Sequence, residues 1–381
     1  MKRIKSNRII NGGRIFSGYV YFDEGKIVAL TDENLPTDEE FDVGDSYVSA
    51  GFIDIHTHGG GGYPFEGELD DIIGGVNFHL THGTTSICPT ISAAPIEDMR
   101  RSLDNVRAAM KDERALANII GAHLEGPYLS LEQTGAQAGA CITLPIKNDY
   151  EAIVKEYKGT LARWTYAPEN DKGAEFAKCM NEAGVVTSAG HTNAKYPDMK
   201  AALDEGCRLV THLYSCTSTV TREFGFRSLG VIESAFLEDG IVAEIIADGK
   251  HLPPDLIRMI YKIKGADGIV AVTDSLSLAG TSVKTGRMSS TDFIIEDGVC
   301  KLLDRTAFAG SIATADVLLR VLTSEAGIPI TEAIKLLTVN PARAMGLSDK
   351  GSLDKGKDAD IVIFNDGISV EAVFVGGKRT V

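Results

Sequence analysis

The chain is short of cationic side chains, aromatic rings and long apolar runs, and each shortage removes a class of function. Lysine and arginine number 38 against 53 aspartates and glutamates, a formal net charge of −15. Nucleic acids and anionic bilayers are bound through basic faces, so this balance argues against both as partners, and an anionic small molecule would need a local positive pocket. No apolar run reaches the roughly 18 residues that mark a membrane span. The opening Met1-Lys2-Arg3-Ile4-Lys5-Ser6 lacks the apolar core of a secretory signal. The six cysteines, Cys88, Cys141, Cys179, Cys207, Cys216 and Cys300, have no paired spacing, the pattern of reduced thiols. Together these features predict a cytoplasmic protein. Aromatics are only 7% of the chain, yet hydrophobic residues are 44% of 381, enough for one large α/β domain and a small one.

The N-terminal stretch reads as a meander of short strands, Arg8-Ile9-Ile10, Tyr19 to Phe22 and Lys26 to Leu30, separated by turns such as Asn11-Gly12-Gly13. From residue 51 the pattern changes to apolar strand candidates alternating with helical periodicity, the mark of βα units and a parallel sheet. Eight strands are predicted: Phe52 to His56, Thr84 to Pro89, Ile119 to Leu124, Ala162 to Ala167, Val185 to Ala189, Leu209 to Leu213, Val242 to Ala247 and Ile269 to Thr273. Eight parallel strands close a (β/α)₈ barrel. Helices follow at Met99 to Met110, Gly173 to Ala183 and Asp255 to Ile263, with further helices at Ala313 to Ala326 and Thr331 to Leu337. The tail returns to strands at Ala359 to Phe364 and Ala372 to Val375. We therefore expect an α/β chain in which residues 1–50 and 347–381 form a small β-sandwich beside a barrel of residues 51–346.

In such a barrel the chemistry sits where the strands end. The run Phe52-Ile53-Asp54-Ile55-His56-Thr57-His58-Gly59 ends in two histidines spaced to leave one face of a strand together. Glu125 ends the third strand, His191 the fifth, His212 the sixth and Asp274 the eighth. Imidazole and carboxylate groups suit zinc and other first-row divalent ions, and the absence of cysteine among them points to a catalytic centre over a structural one. Each residue alone has an ordinary explanation, such as a helix cap for Asp274 or a core histidine for His191. The convergence of all of them on one rim does not.

At these residues the sequence resembles the amidohydrolase superfamily. Within it, Leu124-Glu125-Gly126-Pro127-Tyr128-Leu129, Ala189-Gly190-His191-Thr192-Asn193-Ala194, Thr211-His212-Leu213-Tyr214 and Ile246-Ala247-Asp248-Gly249-Lys250-His251 are similar to the N-acetylglucosamine-6-phosphate deacetylase family. The likeness extends to Asn340-Pro341-Ala342-Arg343 and Gly356-Lys357-Asp358-Ala359-Asp360 near the C-terminus. The resemblance implies metal-dependent hydrolysis of an N-acetyl amino-sugar phosphate. It implies Glu125, His191 and His212 as ligands of one divalent metal; some members keep only that ion, and because this chain has both His56 and His58, a second ion on them bridged by Glu125 makes the expectation one or two per subunit. It implies Asp274 as proton shuttle, and His251 with Arg222 around the sugar phosphate, Arg222 reaching in from the neighbouring subunit of a homodimer. Zinc, iron, manganese and cobalt all suit these ligands.

Three departures fall on the substrate side. Gln137 stands where the family has a histidine that polarises the acyl carbonyl, Ser215-Cys216-Thr217 replaces Asn-Ala-Met, and Arg222-Glu223-Phe224-Gly225 replaces Arg-Glu-Pro-Gly. Gln137, Ser215, Cys216 and Phe224 are therefore expected to bear on which sugar is accepted. N-acetylglucosamine 6-phosphate is the first expectation, and an epimer such as N-acetylgalactosamine 6-phosphate or another N-acyl amine the alternative. Cyclic-amide hydrolases and deaminases use a lysine after strand four or a histidine in place of Glu125, which the Glu-Gly-Pro motif disfavours. An inactive binding protein on the same scaffold is a further reading, against which the retained Asp274 stands.

Overall fold

The computed structural model describes residues 1–288 and 291–381. Its centre is a parallel barrel of the strands Phe52–Thr57, Thr84–Ser92, Ala122–Glu125, Leu161–Tyr166, Val186–Ala189, Leu209–Val210, Val242–Ile246 and Ile269–Val272. A helix follows each strand, beginning with Leu69–Leu80 and Ile96–Ala109 and ending with Ala315–Arg320. The strands are buried on both faces, which explains their near-continuous apolar character. The third strand is shorter than its apolar run suggests. It breaks after Asn118–Ile119 and resumes at Ala122, because Gly121 (φ +122°) turns the chain against Thr160 and Ala162, where any Cβ would collide.

Strands eight and one close the circle through specific bonds. The Asp274 N–H donates to the His56 carbonyl at 2.9 Å, and the Thr273 hydroxyl donates to the buried Asp54 carboxylate at 2.6 Å. This seam brings the residue ending strand eight beside the histidines ending strand one.

Both chain ends enter one eight-stranded sheet, in which Tyr47–Ala50 pairs with Ile361–Phe364 and Lys2–Asn11 with Arg14–Asp23. The sheet wraps a core of its own that includes Ile4, Val20, Phe22, Val48, Ile361 and Phe374. Phe22 and Phe374, on strands well separated in the sheet order, meet edge to face at 5.7 Å. The expected sandwich is thus one sheet folded over itself. An irregularity in the pairing of the long first strand between Ser6 and Ile9 accompanies that bend.

The sequence reading passed over a four-stranded antiparallel sheet between the eighth strand and the following helix, formed by Thr285–Met288, Thr291–Glu296, Val299–Leu302 and Phe308–Gly310. The alternation Thr291-Asp292-Phe293-Ile294-Ile295-Glu296 followed by the turn pair Asp297-Gly298 is a hairpin signal that would have revealed it. The long helix expected at Ala313 to Ala326 is α-helical over Ala315–Arg320 and widens to a π-turn over Val321–Glu325. Among the described residues no helix is long and apolar enough to cross a membrane, and all six cysteines are free.

Candidate active site

Glu125 ends the third barrel strand inside the mouth of the barrel, 2% exposed. His56 and His58 come from the first strand end, and His191 and His212 from just beyond the fifth and sixth. His191, His212 and Asp274 have φ values of +48°, +29° and +45°, a region L-residues seldom occupy. Each strand therefore bends sharply at its last polar residue and throws the side chain across the barrel axis. Gly190 permits the first of these bends, since a Cβ there would strike Thr211 and Thr165.

All four rings aim Nε2 at one carboxylate. Glu125 Oε1 lies 3.0 Å from His212, 3.2 Å from His191 and 3.4 Å from His56, and Oε2 lies 3.2 Å from His58. Two triads result, His56–His58–Glu125 and Glu125–His191–His212, with the ligand atoms of each within 4.8 Å of one another. The outer nitrogens show which way the lone pairs point. Nδ1 of His56 donates to Glu244 at 2.8 Å, that of His191 to the Gln133 carbonyl at 2.8 Å, and that of His212 to the Ser215 carbonyl at 3.1 Å. With Nδ1 carrying the proton, Nε2 presents its lone pair, as in metal-bound imidazoles. Nε2 of His191 and His212 are 3.1 Å apart, and His56 Nε2 is buried without a hydrogen-bond partner. Nitrogens so oriented need a cation between them, and the set fits a divalent ion in each triad.

The charges point the same way. Burial opposes a charge on His56, but Glu125, Glu244 and Asp274 outweigh it and push its pKa up to about 10, while His58 rises to about 9 against its own burial through Asp274 and Glu125. Burial would raise the Asp274 pKa, yet His56 and His58 hold it below the usual carboxylate range. Asp274 Oδ1 lies 3.3 Å from His58 Nε2 and 3.5 Å from His56 Nε2, so an ionised carboxylate stands beside the candidate metal centre.

The site opens into a cavity of about 290 Å³ whose wall includes Asp274, Gln137, Ser215, Cys216 and His251. His251 Nδ1 donates to Asp248 at 2.8 Å, and His251 packs edge to face on Phe308 of the inserted sheet at 5.1 Å. Gln137 is occupied at both ends, its Nε2 donating to Glu125 Oε2 at 2.6 Å and its Oε1 accepting from the Ala93 N–H at 2.8 Å. It steadies the carboxylate that both triads share.

The hairpin that carries Phe224 and Arg222 lies away from its own chain's cavity. Phe224 does not face the cavity. With Gly225 it forms the tip of an exposed hairpin, Thr221–Glu223 with Phe226–Ser228, where both turn residues have positive φ as a two-residue hairpin turn requires. Arg222, on the same hairpin, is exposed and is not among the residues lining its own chain's cavity, and among the described residues that line it there is no lysine or arginine. Residues that sequence reasoning passed over lie beneath the site: Glu244, Arg163 and Asp54, all charged and all inside apolar strands. A charged residue at an inward position of a predicted barrel strand was the available signal.

Residues 47–380 match the Amidohydrolase family. N-acetylglucosamine-6-phosphate deacetylase of Haemophilus influenzae is 31% identical over 87% of this chain and 86% of its own, and that of Rattus norvegicus is 29% identical over 97% and 93%. The crystal structure of N-acetyl-D-glucosamine-6-phosphate deacetylase from Mycobacterium smegmatis superposes with a TM-score of 0.93 at 28% identity over the full length of both chains. A mutant of that enzyme in complex with N-acetyl-D-glucosamine-6-phosphate superposes with a TM-score of 0.92, covering 99% of this chain and 98% of its own.

The two triads lead to separate metal counts. His56→Ala with His58→Ala is expected to lower the bound divalent metal by one equivalent per chain, His191→Ala with His212→Ala by one, and Glu125→Ala by both, as read by elemental mass spectrometry. An unchanged count in all three variants would refute a metal centre here.

Proposed function

The chain belongs to the amidohydrolase family, and we propose that it hydrolyses the N-acetyl amide of N-acetylglucosamine 6-phosphate to glucosamine 6-phosphate and acetate. The observation that carries the reading is the pair of triads sharing Glu125 beside Asp274, open to a cavity of sugar size. The shared name of relatives that match the chain almost end to end supports the substrate and weighs against an epimer.

Glu125, His191 and His212, with His56 and His58, would hold divalent metal, which when bound would lower the pKa of a water from ~15.7 toward ~7 and polarise the amide carbonyl. The reading includes two such ions per subunit, one in each triad, with zinc, iron, manganese and cobalt all compatible with the ligands. Asp274 accepts one proton of the attacking water and delivers it to the amide nitrogen as the C–N bond breaks, so the amine leaves neutral and the acetyl group leaves with the new C–O bond as acetic acid, which loses the water's second proton to solvent as acetate. The Asp274 carboxylate stands 3.3 Å from His58 Nε2 and 3.5 Å from His56 Nε2, within reach of a water at the metal centre. Gln137 holds Glu125 in place, while His251, oriented by Asp248, faces the distal part of the substrate.

A phosphate still needs a lysine or arginine, which the described residues lining the cavity do not include. We assign that role to Arg222 of a second copy in a homodimer, since a guanidinium makes forked contacts with phosphate oxygens and this one is exposed on a projecting hairpin. Residues 51–346 are taken as the catalytic barrel and 1–50 with 347–381 as the small β domain, which has a core of its own around Ile4, Val20 and Phe374 and packs Ile10, Val362 and Phe364 into the barrel's core. The free cysteines fit a reducing cytoplasm.

Asp274→Asn is expected to cut deacetylation by ~10²–10⁴ with the metal content retained. A variant that keeps more than about a tenth of the rate would leave Asp274 outside the proton transfer. Mixing Arg222→Ala chains with Asp274→Asn chains should restore activity that neither has alone, because some mixed dimers hold one complete site. A monomer in solution, or no restoration, would contradict the shared site.

A further inference from the structure

The barrel interior beneath the four histidines is charged where side chains of such barrels are usually branched and apolar. Arg163, on the fourth strand, and Glu244, on the seventh, are both fully buried, with Arg163 Nη1 2.6 Å from Glu244 Oε2. Arg163 donates further to the Ile55 carbonyl at 3.0 Å, to Ser188 Oγ at 3.1 Å and to Thr211 Oγ1 at 3.0 Å, so its fork is fixed by strands one, five and six. The other carboxylate oxygen, Glu244 Oε1, accepts from His56 Nδ1 at 2.8 Å and from the His212 backbone N–H at 3.2 Å.

Stability does not account for this pair. Replacing a buried ion pair by apolar residues of similar volume is often neutral or stabilising. What it does supply is orientation. An imidazole has two neutral tautomers, and it binds an ion through Nε2 only when Nδ1 keeps the proton. His191 and His212 place Nδ1 against backbone carbonyls, and His58 places it 3.1 Å from the Ser92 hydroxyl, which both donates and accepts. His56 is the one ligand candidate of the four whose Nδ1 meets a carboxylate, and a carboxylate partner both fixes the tautomer and raises the basicity of the ligand.

We propose that Glu244, braced by Arg163, is the positioning residue that makes His56 a ligand and so gives this chain its second metal site, the one formed by His56, His58 and Glu125. The proposal rests on the reading of His56 as a metal ligand. Glu244 is fully buried and is not among the residues lining the cavity. It acts through one imidazole ring, and Arg163 keeps its carboxylate turned toward that ring.

The test uses the full chain loaded with Zn²⁺, with equivalents counted by elemental mass spectrometry and affinities measured by chelator competition. Glu244→Asp keeps a charge opposite Arg163 but withdraws the carboxylate from His56 by one methylene. It should weaken one of two zinc equivalents by about 10–100-fold and leave the other near its original affinity. Glu244→Gln removes the charge and should shift the same equivalent. If leaving Arg163 without its counter-charge unfolds Glu244→Gln, the Asp variant decides alone. His56→Ala separates the two readings. If it still binds two equivalents, His56 is no ligand and the proposal falls with that reading. If it binds one while both Glu244 variants bind two at wild-type affinity, the ligand reading stands and the positioning role is overturned. Equal weakening of both equivalents in Glu244→Asp would also overturn it, because Glu244 would then be a general support of the barrel end.

Discussion

Everything in this structure turns on keeping one carboxylate, that of Glu125, buried among four imidazoles. Taking an ionised carboxylate out of water costs several kcal/mol even after relaxation, unless charge and hydrogen bonds replace the lost hydration. Here the replacement is nearly complete. Three Nε2 atoms crowd Oε1, while His58 and the Gln137 amide take Oε2. Burial still favours the neutral acid, but His56 and the other rings hold the Glu125 pKa well below its ordinary range. Divalent metal would do this work more fully than protons on imidazoles, which is the electrostatic reason that the site suits a metal centre.

That constraint reaches outward into the fold. The rings are useful only if their lone pairs face Glu125, so each outer nitrogen is tied to Glu244, to a main-chain carbonyl or to Ser92. The carbonyl partners of His191 and His212 lie in loops that also shape the cavity, Gln133 beside the Gln137 loop and Ser215 in the wall itself. Metal geometry and substrate wall are therefore coupled through the same short segments. The seam between strands eight and one adds Asp274 to the group, and the inserted sheet covers the cavity with Met288 and Phe308. A substitution in those loops changes ring orientation and sugar contacts together, which makes Ser215 and Cys216 more than a change of sugar donors.

The eight barrel strands were legible because their apolar runs are bounded by glycine and end in polar residues. The ligands were legible because they fall at those ends. His56, His58, Glu125, His191, His212 and Asp274 do converge in space, and Gln137, Ser215, Cys216 and His251 do line the adjoining cavity. Other features were hidden for definite reasons. Glu244 and Arg163 sit inside strands, where a lone charge carries no local sign of its partner on a strand some 80 residues away, the separation of their numbers. The inserted sheet has strands of three to six residues, too short to stand out from a loop unless the Asp297-Gly298 turn is read as a hairpin. Where Phe224 lies was hidden because a motif position fixes a residue along the chain and not the direction of its side chain, and the hairpin turn carries this one away from its own chain's cavity. Gln137 lines the cavity as expected of a substrate-side residue, and its further engagement by Glu125 and Ala93 is something only coordinates could reveal.

The central claim is that this metal centre removes an acetyl group from an amino sugar carrying a phosphate. Acetate release measured across N-acetylglucosamine, N-acetylgalactosamine and N-acetylmannosamine, each with and without a 6-phosphate, tests it most directly. The account predicts fastest turnover of N-acetylglucosamine 6-phosphate, with its unphosphorylated form and the other epimers one or more orders of magnitude slower, since a buried polar group left unpaired costs ~1–3 kcal/mol. Equal or faster turnover of the unphosphorylated sugars would contradict it, leaving a metal-dependent amidohydrolase without a phosphate site.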